Sequence, residues 1–368
     1  MSDNGATILN TQPKMPGGTV PEPGCLRAPG PPQAALPGRP RYERITEWLT
    51  YLVDPGVVVE LRAPEVDFGN GFKATVSGIY DSDHLLDMAI EAVNLTEAAQ
   101  GVYFTLNPLD PELLALRTNR AEKRPRRTAK DADVIRRTRL LIDIDPTRFS
   151  KTTGKPLTGD ISATNEEKAR ARATAERVRG DLEVAGWPRP VLVDSGNGCY
   201  LLYKVDLPTD DGGLIERCLK ALAAQYDDAR VHIDQRVFNP SRIMKIPGTS
   251  ARKGDSTTDR PHRQSSVVSV PEVWSCVPTE RLEALAAQAP SVPPHPSKKH
   301  HQPATTSNPM SHSGCEPVRT GKYDHIVTNT KLATTAPKAS VEDRCRAYLE
   351  KAVSSGSWRF AIGARPIS

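Results

Sequence analysis

Residues 138–149 read TRLLIDIDPTRF. An apolar run from Leu140 to Ile144 carries two aspartates at its end, one residue apart, and an arginine-rich segment leads into it. Leucine and isoleucine interrupted only by Asp143 argue for a strand. Successive side chains of a strand alternate faces, so Asp143 and Asp145 point the same way while Ile144 turns into the core. Two carboxylates a few ångströms apart repel, and one is driven to keep its proton unless a divalent cation lies between them. Mg²⁺ suits such a pair, being a hard ion that takes oxygen ligands and keeps waters for substrate phosphates. D-x-D by itself equally fits a strand that ends in two loop-facing aspartates.

The neighbouring segments sharpen that choice. Upstream, residues 117–139 read RTNRAEKRPRRTAKDADVIRRTR. Alone this is a solvated loop; beside paired carboxylates it becomes a candidate surface for a polyanion, because lysine and arginine displace the counterions of phosphates. Downstream, DSGNGCYLLYKVDLP (194–208) places a glycine-bracketed turn between two strand-like runs, a hairpin whose backbone can approach a ligand closely. An ordinary hairpin has the same pattern. VHIDQRVFNPSRIMKIPGTSARKGD (231–255) then ends a short apolar run with Asp234 and follows it with Arg236, Arg242, Lys245, Arg252 and Lys253. One more acid followed by five bases is the composition that a metal-bound triphosphate and a nucleic-acid strand require.

Strand patterns fall at 57–62, 72–80, 102–106, 139–144, 190–194, 199–205 and 242–246, and helix patterns at 83–94, 111–118, 165–185, 214–225 and 279–287. The helix from Asn165 has the clearest start, since Thr164 with Glu167 three residues on has capping-box spacing. Strands and helices interleave without a strict βαβ rhythm, which predicts an α+β domain with a mixed sheet. That domain is expected over 41–288, between a Pro/Gly-rich disordered segment (1–40) and a Pro/His/Ser-rich linker (289–340). Residues 341–368 start as a helix and lose periodicity, as the opening of a further domain cut short would.

The 368 residues carry a net charge of +5, with 38% apolar and 5% aromatic content. Without an apolar run of about eighteen residues or a signal-peptide core, neither membrane insertion nor export is expected, and the location expected is cytoplasmic. The six cysteines, Cys25, Cys199, Cys218, Cys276, Cys315 and Cys345, form no C-x-x-C pair and read as incidental thiols. His300 and His301 lack partners at ligand spacing.

The succession LLIDIDP, SGNG-x-x-LLYKVDLP, then a late aspartate followed by FNPSRI-x-K-x-PGT-x-ARKGD strongly resembles the catalytic domain of the archaeo-eukaryotic primase superfamily, in its phage- and plasmid-type primase-polymerase branch. The likeness starts at VVVELRA, TVSGIYD and GVYFTLNPLDPELLALRTN and covers about residues 45–288. It implies an RRM-like primase-polymerase core, and template-directed joining of nucleoside triphosphates into a primer on single-stranded DNA with Mg²⁺ or Mn²⁺. Carried over by position, Asp143, Asp145 and Asp234 would be the metal ligands and catalytic acids. Ser195, Asn197 and Gly198 would shape the nucleotide pocket, Arg242 and Lys245 would hold triphosphate oxygens, and Arg252 and Lys253 would hold primer or template backbone. The basic stretch, with Arg126 and Arg127, would add to the DNA surface. Replication of a mobile or phage-like element is the setting the resemblance implies.

Two departures bear on activity. The family pattern has a histidine two residues after SGNG, where this chain has Tyr200. Tyrosine donates one hydrogen bond but carries no positive charge near neutral pH. The lost charged contact is worth about 2 kcal/mol, roughly thirtyfold in rate if it acts in the transition state, unless Tyr200 simply packs and Arg242 or Lys204 covers the deficit. No G-x-x-x-x-G-K-[ST] loop occurs, so unwinding is expected from a separate helicase. Two rivals remain. Asp143 to Thr147 also fits the D-x-D-x-T nucleophile loop of a haloacid-dehalogenase-type phosphatase, although that loop should open its domain. A primase-like fold that binds single-stranded DNA without turnover is the other, favoured by Tyr200 and disfavoured by the retention of all three acids.

Overall fold

The run at 138–149 becomes the strand on which the molecule is organised. The structure, a computed structural model, describes residues 39–69 and 71–290. Cys25, Cys315, Cys345, His300, His301 and the pattern after residue 341 lie outside them. In chain order the described elements are α1 (Arg41–Leu52), β1 (Val58–Asp67), β2 (Lys73–Asp81), α2 (Leu85–Leu95), β3 (Tyr103–Thr105), β4 (Arg120–Lys123), β5 (Arg137–Pro146), α3 (Asn165–Val184), β6 (Val191–Asp194), β7 (Cys199–Leu207), α4 (Leu214–Tyr226), β8 (Val231–Ile233), β9 (Ile243–Lys245), β10 (Ser250–Ala251), β11 (Arg263–Gln264), β12 (Ser266–Ser269) and α5 (Thr279–Ala286).

Two five-stranded sheets result, in the orders β4-β2-β1-β3-β9 and β12-β6-β7-β5-β8. The α+β class expected from the sequence is the one observed. Within the second sheet, β5-α3-β6-β7-α4-β8 forms a split β-α-β-β-α-β unit, the ferredoxin-like arrangement of RRM-type domains. The mixed sheet is a correction: every ladder in both sheets is antiparallel. Each helical crossover in the unit skips one strand, so β5 and β6, which run the same way, are separated by β7 and never pair.

Alternation along β5 puts Leu140, Ile142 and Ile144 on one face, where α3, α4 and α5 cover them in a core with Leu192, Leu201 and Tyr203. Ile142 and Ile144 are wholly buried, each worth about 1.5–3 kcal/mol to the fold. The opposite face carries Leu141, Tyr200 and Leu202 into a second core with α1, α2 and the first sheet. α3 begins as its spacing predicts: Thr164 accepts from the Glu167 backbone N–H, and the Glu167 carboxylate accepts from the Thr164 N–H.

Three local differences have physical causes. Pro111–Leu116 is a 3-10 turn, capped by Asp110 and buried only through Leu113, and not the helix expected at 111–118. α1, which the sequence pattern does not announce, follows Pro40 with no side-chain cap and is held by burial of Ile45, Leu49 and Leu52. Within the basic stretch, Arg120–Lys123 is a strand paired to β2 where a loop was expected. Among the described residues no helix is long and apolar enough to cross a membrane. Cys199, Cys218 and Cys276 are unpaired thiols.

Candidate active site

The chemistry gathers where the two sheets face each other. β5 lies between β7 and β8, with Asp143 opposite Tyr200 and Asp145 opposite His232. Asp234 immediately follows β8, and its backbone N–H donates to the Asp143 carbonyl at 2.9 Å. The fold thus brings Asp143, Asp145 and Asp234 to one end of one sheet, all three half-buried. Loss of hydration pushes the Asp143 carboxyl well above the ordinary carboxylate range, and the charges of Asp145 and Asp234 push it further; Lys253 and Arg242 oppose the shift.

The other two acids have cationic company. Asp145 lies 3.5 Å from Arg148 Nη2. Asp234 caps the turn that follows it, accepting from the backbone N–H and Nε of Arg236 at 2.9 and 3.1 Å. In keeping with these separate engagements, no group of three or more His, Cys, Asp or Glu among the described residues is already closed around a common metal position. The donor set nevertheless suits a hard divalent cation: it is all carboxylate oxygen, and its innermost member is an anion that burial and two like charges disfavour.

Across from the acids the first sheet presents Tyr103 and Lys245, directly paired between β3 and β9. Lys245 is 5% exposed, and its ammonium sits 4.5 Å from the Tyr103 ring centroid. Desolvation, assisted by the like charge of Lys253, pushes its pKa down to about 7. Burial pushes the Tyr103 phenol up to about 12, with Asp143 the strongest charge acting on it. Gly101 makes room for this pair, since a Cβ there would lie 2.1 Å from Lys245 Nζ. Arg242 is half-buried near Asp234 and Asp143, its guanidinium fixed by the Asn239 side chain and the Arg236 carbonyl. Tyr103 and Arg148 carry no functional signal in the sequence, and Arg236 counts there only as one base among five after Asp234. A tyrosine in a short strand and arginines beside acids say nothing until register is known.

The SGNG turn works as a frame. Ser195 accepts from the Gly198 N–H at 2.9 Å and lies close enough to the Tyr200 hydroxyl to act on it. Asn197 accepts from the Ala163 N–H, tying the turn to the start of α3. Gly198 is required by contact: an added Cβ would lie 2.4 Å from the Ile144 carbonyl and 2.9 Å from Asp145 Oδ1. Tyr200 is buried, on Asp143's face of the sheet, and it packs. Lys204, considered as its substitute, is instead paired with Asp54 at 3.2 Å, four residues farther along β7.

The remaining basic residues divide. Lys253 is half-buried and electrostatically felt by Asp143 and Lys245. Arg252 is turned to Glu97 at 2.6 Å, and Arg127 Nη1 donates to both carboxylate oxygens of Asp133. Arg126 is exposed on the basic stretch. The roomier surface cavities, of about 360 and 590 Å³, are lined by other residues and none of the three acids, so chemistry and not cavity size marks the site.

No protein-family model matches the chain, and no curated protein matches it. Among solved structures it is similar to the crystal structure of primase RepB′, with a TM-score of 0.39 and 12% identity over 68% of this chain and 63% of that one. It is also similar to the catalytic domain of primase RepB′ in complex with initiator DNA, with a TM-score of 0.37 and 11% identity over 67% of this chain and 94% of that one. The chain therefore spans less than two thirds of the longer RepB′ structure, and at this degree of similarity neither neighbour assigns an activity.

Proposed function

We propose that this chain is a divalent-metal-dependent nucleotidyltransferase of primase-polymerase type, making primers on single-stranded DNA from nucleoside triphosphates. The observation that carries the reading is the meeting of Asp143, Asp145 and Asp234 at one sheet end, faced by Lys245, Lys253 and Arg242. Mg²⁺ or Mn²⁺ held by the three carboxylates would supply Lewis acidity for attack by a 3′-hydroxyl and departure of pyrophosphate. The protein's own groups do the rest. Arg242, anchored by Asn239, offers a fixed guanidinium to triphosphate oxygens. Lys245 is poised near its pKa, so an arriving triphosphate stabilises its charged form and draws in a proton. Arg148 and Arg236, which neutralise Asp145 and Asp234, must release them when the acids take up a cation.

The phosphatase alternative fits less well. Its nucleophile loop should open the catalytic domain, whereas Asp143 follows β1 to β4, and Thr147 continues the pairing beside β8 through its N–H to the Arg230 carbonyl. It also leaves the SGNG turn and the NPSRI-x-K segment unexplained.

The test is incubation with single-stranded template, labelled ribo- or deoxynucleotides, and Mg²⁺ or Mn²⁺. Extended product that disappears in Asp143→Asn supports the proposal. DNA binding without incorporation under any of these conditions selects the non-catalytic alternative, and Mg²⁺-dependent hydrolysis of p-nitrophenyl phosphate lost in Asp143→Asn selects the phosphatase.

A further inference from the structure

The turn joining β1 to β2 carries two phenylalanines that the catalytic reading leaves unused. Phe68 and Phe72 stand across the turn, the Phe68 N–H donating to the Phe72 carbonyl at 3.1 Å, with ring centroids 6.2 Å apart and planes 26° from parallel. Gly69 and Gly71 lie between them with φ of 80° and 74°, and a Cβ on either would meet nothing within 4 Å, so both border open space. Phe72 is 36% exposed, although an apolar ring would ordinarily turn inward.

The adjoining edge strand brings cations to these rings. Lys123 Nζ lies 4.1 Å from the Phe68 centroid, and the Arg124 guanidinium lies 3.8 Å from that of Phe72. Arg124 holds this place with a left-handed backbone, φ 54°, pinned by its N–H to the Thr75 carbonyl. Arg120, Lys123, Arg124 and Arg126 are all exposed along the same edge. Of the acids nearby, Glu65 is exposed, Asp67 has one oxygen on the Gly69 N–H, and Glu122 acts on the buried Arg117.

Aromatic rings interleaved with cations on an exposed edge are what a single-stranded nucleic acid uses: bases stack on rings or guanidinium planes while phosphates meet the charges. The patch is also linked to the acids. In β1, Arg62 pairs with Tyr103, which pairs with Lys245. From Arg62 the strand runs five residues to Asp67, about 17 Å at strand rise.

We propose that Phe68, Phe72, Lys123 and Arg124 form a binding platform for single-stranded nucleic acid, on which bases stack against Phe72 and the Arg124 guanidinium and phosphates pair with Lys123, Arg124 and Arg126. Its use in primer synthesis rests on the function proposed above; its existence does not. The experiment is fluorescence anisotropy of a labelled 20-nucleotide oligo(dA) and the matching duplex, across a salt series, on the full chain. Phe72→Leu is expected to weaken single-strand binding about 5- to 150-fold, the loss of one stacked base, with its salt slope unchanged. Duplex binding should hardly change, and Phe72→Tyr should restore affinity. Arg124→Gln should make the single-strand slope shallower by about 0.7, the loss of one phosphate contact. Phe72→Leu that binds like the natural protein, or that loses single strand and duplex alike, overturns the platform, as does absence of single-strand binding altogether. Asp143→Asn, run alongside, should keep full binding; if no protein in the set synthesises primers, the catalytic proposal fails while the binding data still decide the platform.

Discussion

The backbone N–H of Asp234 donates to the carbonyl of Asp143 at 2.9 Å, and this one bond makes a single site of acids that lie far apart in the chain. Each of Asp143→Asn, Asp145→Asn and Asp234→Asn is expected to lower metal-dependent primer synthesis by about a thousandfold, equivalent to roughly 4 kcal/mol of transition-state stabilisation. Asp143→Asn should also behave differently from an ordinary core lesion. It removes a charge disfavoured by burial and by two like neighbours, so the metal-free protein should melt about 2–4 °C higher per kcal/mol of relieved repulsion. Mn²⁺ should raise the melting temperature of the natural protein but not of this variant. Thermal unfolding with and without Mn²⁺ reads both effects, and an equal Mn²⁺ shift in the two proteins would refute the ligand assignment.

Lys245 gives a pH prediction with a defined sign. Its folded pKa is pushed down to about 7, against about 10.4 in an unfolded chain. Between those values the unfolded state binds the extra proton, so stability rises with pH from about 7 to 10.4, and below about 7 the fold bears the full cost of a buried cation. In Lys245→Met that slope should flatten, with stability at pH 6 gained on the order of a few kcal/mol. Nucleotide binding should reverse the shift and take up a proton near pH 7.5. Calorimetry in two buffers of different ionisation enthalpy would detect this, and Lys245→Met should abolish it.

Much of this site could be read before any coordinates, and the reasons are local. Alternation put Asp143 and Asp145 on one face, and a capping box placed the start of α3. What failed was what register and packing decide. β8 has only three residues, too short for a periodic signal, so Asp234 could be chosen by composition but not placed beside Asp143 by the pattern. The pairing of Tyr103 with Lys245, and the burial that depresses Lys245, come from two strands about 140 positions apart. The expected mixed sheet failed because a strand inserted between two parallel ones leaves no mark in either sequence. Arg252 and Arg127 read as open cations until Glu97 and Asp133 appeared beside them.

Gly198 tests the frame around the acids. A methyl added there meets the Ile144 carbonyl at 2.4 Å and Asp145 Oδ1 at 2.9 Å, and the β5 backbone leaves little room to yield. Gly198→Ala is expected to cost about 1–3 kcal/mol, as overpacking does, and to weaken Mn²⁺ binding by displacing Asp145. Gly180→Ala is the control, because a Cβ there meets nothing within 4 Å and the helix gains propensity. Urea midpoints should move in opposite directions for the two variants. A Gly198→Ala protein with unchanged midpoint and metal affinity would mean that close contact with β5 does not demand glycine at this position.

Tyr200 tests the proposed activity at the position where the primase-type pattern has histidine. It lies opposite Asp143 across the β5–β7 ladder, its ring packed in the core and its hydroxyl near Ser195. Histidine at that position would place an ionisable ring beside the innermost acid, where the negative charge favours imidazolium. Lys204 is committed to Asp54 and cannot already supply that charge. Tyr200→His is therefore expected to raise primer synthesis by about ten- to thirtyfold, since a charged contact in the transition state is worth up to about 2 kcal/mol. The smaller ring should lower stability by about 1–3 kcal/mol through the space it leaves. Tyr200→Phe separates the two effects: it keeps the packing, loses only the hydroxyl, and should cost at most about 1 kcal/mol with no gain in rate. Initial rates at saturating nucleotide for the three proteins, set beside their urea midpoints, are the measurement, and a histidine variant no faster than the natural protein would show that Tyr200 replaces nothing the reaction needs.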